Sequence, residues 1–116
     1  MATIVLMEDD NLVRNFVTRL LQMQGYNVLA FEDAQPALDT VDFSQVDLMV
    51  TDLSMPTPGE EAIRIIRNRN IQIPIIVVTG YITGEKALYL KTLGVQEIVR
   101  KPFDLNEFLA VVQRLI

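Results

Sequence analysis

The sequence predicts one doubly wound α/β domain, a five-stranded parallel sheet with helices on both faces, and three observations carry that prediction. Short apolar, β-branched runs alternate along the whole chain with segments of helical periodicity. The runs lack in-out alternation, as strands covered on both faces do. The length of 116 residues leaves room for a single domain, residues 1–116, and for no second.

The first run, Thr3-Ile4-Val5-Leu6-Met7, reads as a central strand. Leu12, Val13, Phe16, Val17, Leu20 and Leu21 follow at the spacing of one helix face, and the helix stops at Gly25, a left-handed terminator. Val28 to Phe31 is a second, shorter strand. Asp33 makes the N-cap of a helix carrying Ala37, Leu38 and Val41, with Pro36 tolerated in the first turn. Leu48 to Thr51 is the third strand. Asp52 to Gly59 is a loop, by Pro56, Pro58 and the Pro-Gly turn signal, and it leads into a helix with Ala62, Ile63 and Ile66 inward and Arg64 and Arg67 outward. With Arg69 these arginines form a basic stripe, read as a solvated helix face.

Ile75 to Val78 is the fourth strand, opened by Pro74, where a missing N–H costs little, and ended by Thr79-Gly80-Tyr81. The next helix runs through Ala87, Leu88 and Leu90 to a stop at Gly94. Ile98 and Val99 mark a short fifth strand. Asp104, with Glu107 three residues on, starts a last helix bearing Leu105, Phe108, Leu109, Val112, Leu115 and Ile116.

Composition narrows the chemistry. Half of the residues are hydrophobic and 22% are charged, which is too apolar for intrinsic disorder. No apolar run approaches the length of a membrane span and no secretory signal is readable, so a cytoplasmic location is expected. Without cysteine or histidine there is no thiolate or imidazole nucleophile and no Cys- or His-type metal site. The net charge of −5 argues against a surface that grips nucleic-acid phosphates.

In doubly wound sheets the working site lies at the carboxyl ends of the strands. Glu8 and Asp9 follow strand one, Asp52 strand three, Thr79 strand four and Lys101 strand five, so all five belong to one sheet edge. Carboxylates about 5 Å apart repel by roughly 3 kcal/mol per pair at an effective dielectric near 20, a cost that a bound cation removes. Oxygen ligands alone suit a hard cation, and two or three carboxylates completed by water fit Mg²⁺ better than a Ca²⁺ cage. A carboxylate, a lysine and a hydroxyl beside Mg²⁺ make phosphoryl transfer to Asp52 the natural chemistry.

Four segments carry a resemblance: Met7-Glu8-Asp9-Asp10-Asn11-Leu12-Val13-Arg14, Asp47 through Pro56, Val78-Thr79-Gly80, and Lys101-Pro102-Phe103. In this order and spacing the chain resembles, over essentially its whole length, the receiver domains of two-component response regulators, the CheY-like family. The resemblance implies the flavodoxin-like strand order 2-1-3-4-5. It also implies Mg²⁺-dependent transfer of a phosphoryl group to Asp52 from a phosphohistidine, on a sensor histidine kinase or a histidine phosphotransfer protein. Glu8 and Asp9 match the metal-binding pair, in the register set by Arg14 five residues after Asp9, and Asp10 matches a neighbouring position. Asp52 matches the acceptor and metal ligand, and Ser54 the residue whose backbone carbonyl completes coordination. Thr79 matches the hydroxyl that follows the phosphoryl group. Lys101 matches the lysine before a proline that is often cis, so a cis Lys101–Pro102 peptide is expected.

Family members switch the partner preference of the face formed by the fourth helix, fifth strand and fifth helix, and some form homodimers or carry output domains. Three departures stand out. Ile98 occupies the place of an aromatic switch residue, with Tyr81 a candidate substitute. Gly59 follows Asp52 by seven residues, one fewer than the family's usual spacing. Ser54 and Tyr81 occupy the two variable flanking positions, where the bulk of Tyr81 is expected to hinder the hydrolytic water. The alternative is a receiver-fold docking module that works without phosphorylation, and the intact acidic, hydroxyl and lysine set speaks against it. A metal-dependent phosphohydrolase is disfavoured because no second aspartate stands two residues after Asp52.

Overall fold

Central strands rich in Val, Ile and Leu and covered on both faces dictate the architecture of this chain. A computed structural model describes all residues, 1–116. The elements are β1 (Thr3–Met7), α1 (Asn11–Met23), β2 (Asn27–Phe31), α2 (Ala34–Thr40), β3 (Leu48–Thr51), α3 (Gly59–Asn68), β4 (Ile75–Thr79), α4 (Gly84–Thr92), β5 (Glu97–Arg100) and α5 (Leu105–Leu115), with a 3-10 turn at Phe43–Gln45. All pairings are parallel and the order is β2-β1-β3-β4-β5, as the resemblance implied. The order reverses between β1 and β3, so the crevice above their carboxyl ends is the topological switch point.

The central strands alternate between two apolar layers rather than between core and solvent. Ile4 and Leu6 of β1 join Leu48, Val50, Ile76 and Val78 against Val17 and Leu21 of α1 and Phe108 and Val112 of α5. Val5 and Met7, one residue out of phase, join Met49, Ile75 and Val77 against α2, α3 and Leu90 of α4. Fully burying one such side chain stabilises by about 1.5–3 kcal/mol. Gly25 and Gly94 take φ of 90° and 79° just past α1 and α4, the left-handed stops expected of them.

Three expectations need correction. Leu12 and Phe16 are 82% and 52% exposed, not part of the buried face. Val13, Val17, Leu20 and Leu21 hold that face, and each of the exposed pair sits one residue earlier, about 100° round the helix. Val41 lies beyond α2, as its extended C-cap. Arg67 is not outward: its guanidinium donates to the carbonyls of Leu93 at 2.8 Å, Ile71 at 2.8 Å and Gly94 at 3.1 Å. Helix ends leave carbonyls unpaired, and Arg67 satisfies those at the end of α4. The rest of the stripe is also partnered, Arg64 by the Tyr89 hydroxyl at 3.3 Å and Arg69 by the Leu38 carbonyl at 3.2 Å. No helix is long and apolar enough to cross a membrane.

Candidate functional site

Parallel strands end on one edge, and that edge gathers the residues singled out in the sequence. Carboxylate oxygens of Glu8, Asp9 and Asp52 lie within 4.8 Å of one another. Glu8 and Asp52 are buried while Asp9 is exposed. Lys101 joins them from just after β5, its Nζ 2.7 Å from both Glu8 Oε1 and Asp52 Oδ2. The Lys101 amide donates to the Thr79 carbonyl at 2.9 Å, and the Phe103 ring packs on Phe108 with centroids 5.0 Å apart, so the lysine stands on an anchored loop. The Lys101–Pro102 peptide is cis.

The acidic loop after β1 is fixed by hydrogen bonds to Glu8 from the loop itself and from α1. Arg14 Nη1 donates to the Glu8 carbonyl at 2.9 Å, and the Asp10 amide to Glu8 Oε2 at 3.2 Å. Asp10 stays outside the carboxylate cluster and caps α1, its side chain accepting from the amides of Leu12 at 2.9 Å and Val13 at 3.1 Å. Asp52 Oδ1 accepts the amides of Leu53 at 2.6 Å and Ser54 at 3.2 Å, so both oxygens of this carboxylate have partners.

Burial is the largest influence on the ionisation of Glu8 and Lys101. It raises the Glu8 carboxyl, the nearby Asp52 charge adds to the rise, and hydrogen bonds from Lys101 and the Asp10 amide only partly offset both. On Lys101 burial disfavours the charged form, but the hydrogen bonds to Asp52 and Glu8 outweigh it and the ammonium is held above its ordinary range.

The other predicted residues sit round this cluster. Thr79 is buried at the end of β4, its hydroxyl donating to the Tyr81 carbonyl at 3.0 Å rather than to Asp52. Tyr81 is 78% exposed after β4, and Ser54 is exposed in the β3–α3 loop. Ile98 stays away from the edge: it pairs with Val77 in the sheet and packs, half-buried, on the core layer of α3 and α4.

Sequence reasoning missed one link to the edge. Asp33, read as the cap of α2, accepts the Thr57 amide at 2.8 Å and the Thr57 hydroxyl at 2.9 Å. Burial alone would raise its carboxyl, and the hydrogen bonds from Thr57, Ala34 and Gln35 together bring it below the ordinary aspartate range. Its place just after β2, on the same sheet edge as the acidic residues, was the available signal.

The donor set of three carboxylates without a soft or imidazole ligand fits Mg²⁺. An anchored ammonium on a buried carboxylate, with a hydroxyl at the end of the neighbouring strand, suits a phosphoryl group.

Comparison with known proteins gives the same direction. A family model described as response regulator receiver domain matches residues 4–113. The chain is 33% identical over 105 residues to the CAI-1 autoinducer sensor kinase/phosphatase CqsS of Vibrio cholerae, covering 87% of this chain and 15% of that protein. The non-phosphorylated HemR receiver domain from Leptospira biflexa superposes with a TM-score of 0.93 at 27% identity, covering 99% of this chain and 94% of that one. The response regulator TrrA of Thermotoga maritima, in complex with Mg²⁺-BeF, superposes with a TM-score of 0.86 at 27% identity over 100% of both chains. The chain spans half or less of the length of the curated relatives it matches, which include a sensor kinase and transcriptional regulators.

Proposed function

Because the chain belongs to the response regulator receiver domain family, we propose that residues 1–116 form a phosphoacceptor switch in which Asp52 takes a phosphoryl group from a partner's phosphohistidine. The donor is a sensor histidine kinase or a histidine phosphotransfer protein in the cytoplasm, and the chain promotes only its own phosphorylation and dephosphorylation. The observation that carries the reading is the convergence of Glu8, Asp9 and Asp52 within 4.8 Å, with Lys101 Nζ 2.7 Å from Asp52.

Glu8, Asp9, Asp52 and the Ser54 backbone carbonyl would hold Mg²⁺, which when bound supplies positive charge for the phosphoryl oxygens. A phosphorus–oxygen bond forms to an Asp52 carboxylate oxygen as the donor's phosphorus–nitrogen bond breaks. The leaving imidazole keeps the bonding pair and is protonated by solvent. Lys101 is already on Asp52 and follows the charge onto the phosphoryl group. The Thr79 hydroxyl exchanges the Tyr81 carbonyl for a phosphoryl oxygen, which frees the loop into α4 and biases the α4, β5 and α5 face between two partner preferences.

Intact-mass spectrometry after incubation with acetyl phosphate tests the reading. One phosphoryl adduct is expected with Mg²⁺, none with a chelator, and none in Asp52→Asn. No adduct from acetyl phosphate or from a phosphohistidine protein would replace the switch with a docking module that works without phosphorylation.

A further inference from the structure

The β3–α3 loop carries Asp52 and Ser54, and both of its ends are fixed locally. The Asp52 carbonyl accepts the Thr51 hydroxyl at 2.7 Å and lies so close to Gly59 that a Cβ there would come within 2.1 Å of it. The Leu53 carbonyl accepts the Gly59 amide at 3.1 Å. The tip between these ends has few means of holding itself, because Pro56 and Pro58 lack an N–H. It is held from another element. Asp33 Oδ1 accepts the Thr57 amide at 2.8 Å and Asp33 Oδ2 the Thr57 hydroxyl at 2.9 Å, across 24 residues of chain.

The same carboxylate caps α2 only at long range, with the Gln35 amide 3.4 Å away. A residue serving chiefly as a helix cap would show the opposite balance, its short bond to its own helix. The two short, charge-assisted bonds go to the loop.

Resting on the phosphoacceptor reading above, we propose that Asp33 and Thr57 are a positioning pair for the acceptor site. They hold the loop tip so that the Leu53 and Ser54 amides stay on Asp52 Oδ1 and the Ser54 carbonyl stays available to Mg²⁺. Neither residue touches the phosphoryl group. Their effect passes through the loop, whose short span leaves it no slack to absorb a loosened tip.

The test compares Thr57→Val, which keeps shape and loses the hydroxyl, with Thr57→Ser, which keeps the hydroxyl, and with Asp33→Asn, which keeps an N-cap for α2. Amide exchange followed by NMR reads the loop, and calorimetric titration with MgCl₂ reads the site. In Thr57→Val and Asp33→Asn the Leu53 and Ser54 amides are expected to exchange faster and Mg²⁺ to bind about tenfold more weakly. Exchange in β4 should be unchanged, and Thr57→Ser should match wild type in both readouts. Unchanged Mg²⁺ affinity in both variants, with or without faster exchange, would reduce the pair to a structural tie and overturn the proposal. Failure of wild type to bind Mg²⁺ would overturn the phosphoacceptor reading and this inference with it, and the exchange data, which need no metal, would tell that failure from a clamp that never held.

Discussion

Lys101 places its ammonium 2.7 Å from Glu8 and Asp52, where three carboxylates make a cation welcome. The lysine therefore relieves repulsion that Mg²⁺ would otherwise relieve alone, and under the proposed function Glu8 and Asp52 would both be shared between the two cations. Burial raises the Glu8 carboxyl, and Asp52 adds to the rise. A protonated carboxyl has no charge to offer a metal, so affinity must fall as pH falls through the Glu8 pKa. Because that pKa is raised, the fall begins from above the ordinary 4.5. Calorimetric titration with Mg²⁺ between about pH 7.5 and pH 5 is expected to show affinity declining before an ordinary glutamate would protonate. Glu8→Gln removes this titration. A wild-type affinity that holds level down to the ordinary glutamate range would mean that Glu8 does not ligate the ion.

At the scale of elements, the β3–α3 loop shows how sequence and structure divide the information. Gly59 opens α3 with its Cα against the Asp52 carbonyl, and a Cβ would lie 2.1 Å from that oxygen and 3.1 Å from Leu53 Cα. Both neighbours are backbone, so nothing can swing aside, and the loop or the start of α3 must shift. Gly59→Ala is expected to destabilise by about 1–3 kcal/mol in urea unfolding and to slow phosphorylation from acetyl phosphate, whereas an overpacked site far from Asp52 would lose stability alone. The strands and helices were legible because continuous apolar runs, glycine stops and capping aspartates are local signals. The edge cluster was legible because strand ends of a parallel sheet share one side. Leu12 and Phe16 were not, since an apolar residue one position off the buried stripe fits the helical period nearly as well. Arg67 was misread because two of its three carbonyl partners, Leu93 and Gly94, are 26 and 27 residues away. The Asp33–Thr57 tie, 24 residues apart, leaves no periodic trace either.

For the whole molecule, two apolar layers cover the sheet on both faces and leave the acidic edge at the strand ends outside them. Under the proposed function the phosphoryl donor is a protein, whose approach would cover surface as well as present a phosphoryl group. Leu12 and Phe16, which no core layer uses, line one groove with Leu105, Pro102 and Lys101 itself. Under the proposed function an apolar rim continuous with Lys101 is where burial on docking would stabilise the encounter, since buried apolar anchors carry most of an interface's affinity. A small donor such as acetyl phosphate needs no rim. The double variant Leu12→Ala/Phe16→Ala alters exposed side chains and is expected to leave stability within about 0.5 kcal/mol of wild type and the acetyl phosphate rate unchanged. Transfer from a phosphohistidine protein active on the wild type is expected to fall about tenfold, through a weaker half-saturation concentration rather than a slower step at saturation. Equal loss with both donors would place Leu12 and Phe16 in the support of the acidic loop, and no loss with either would move the docking surface to another face.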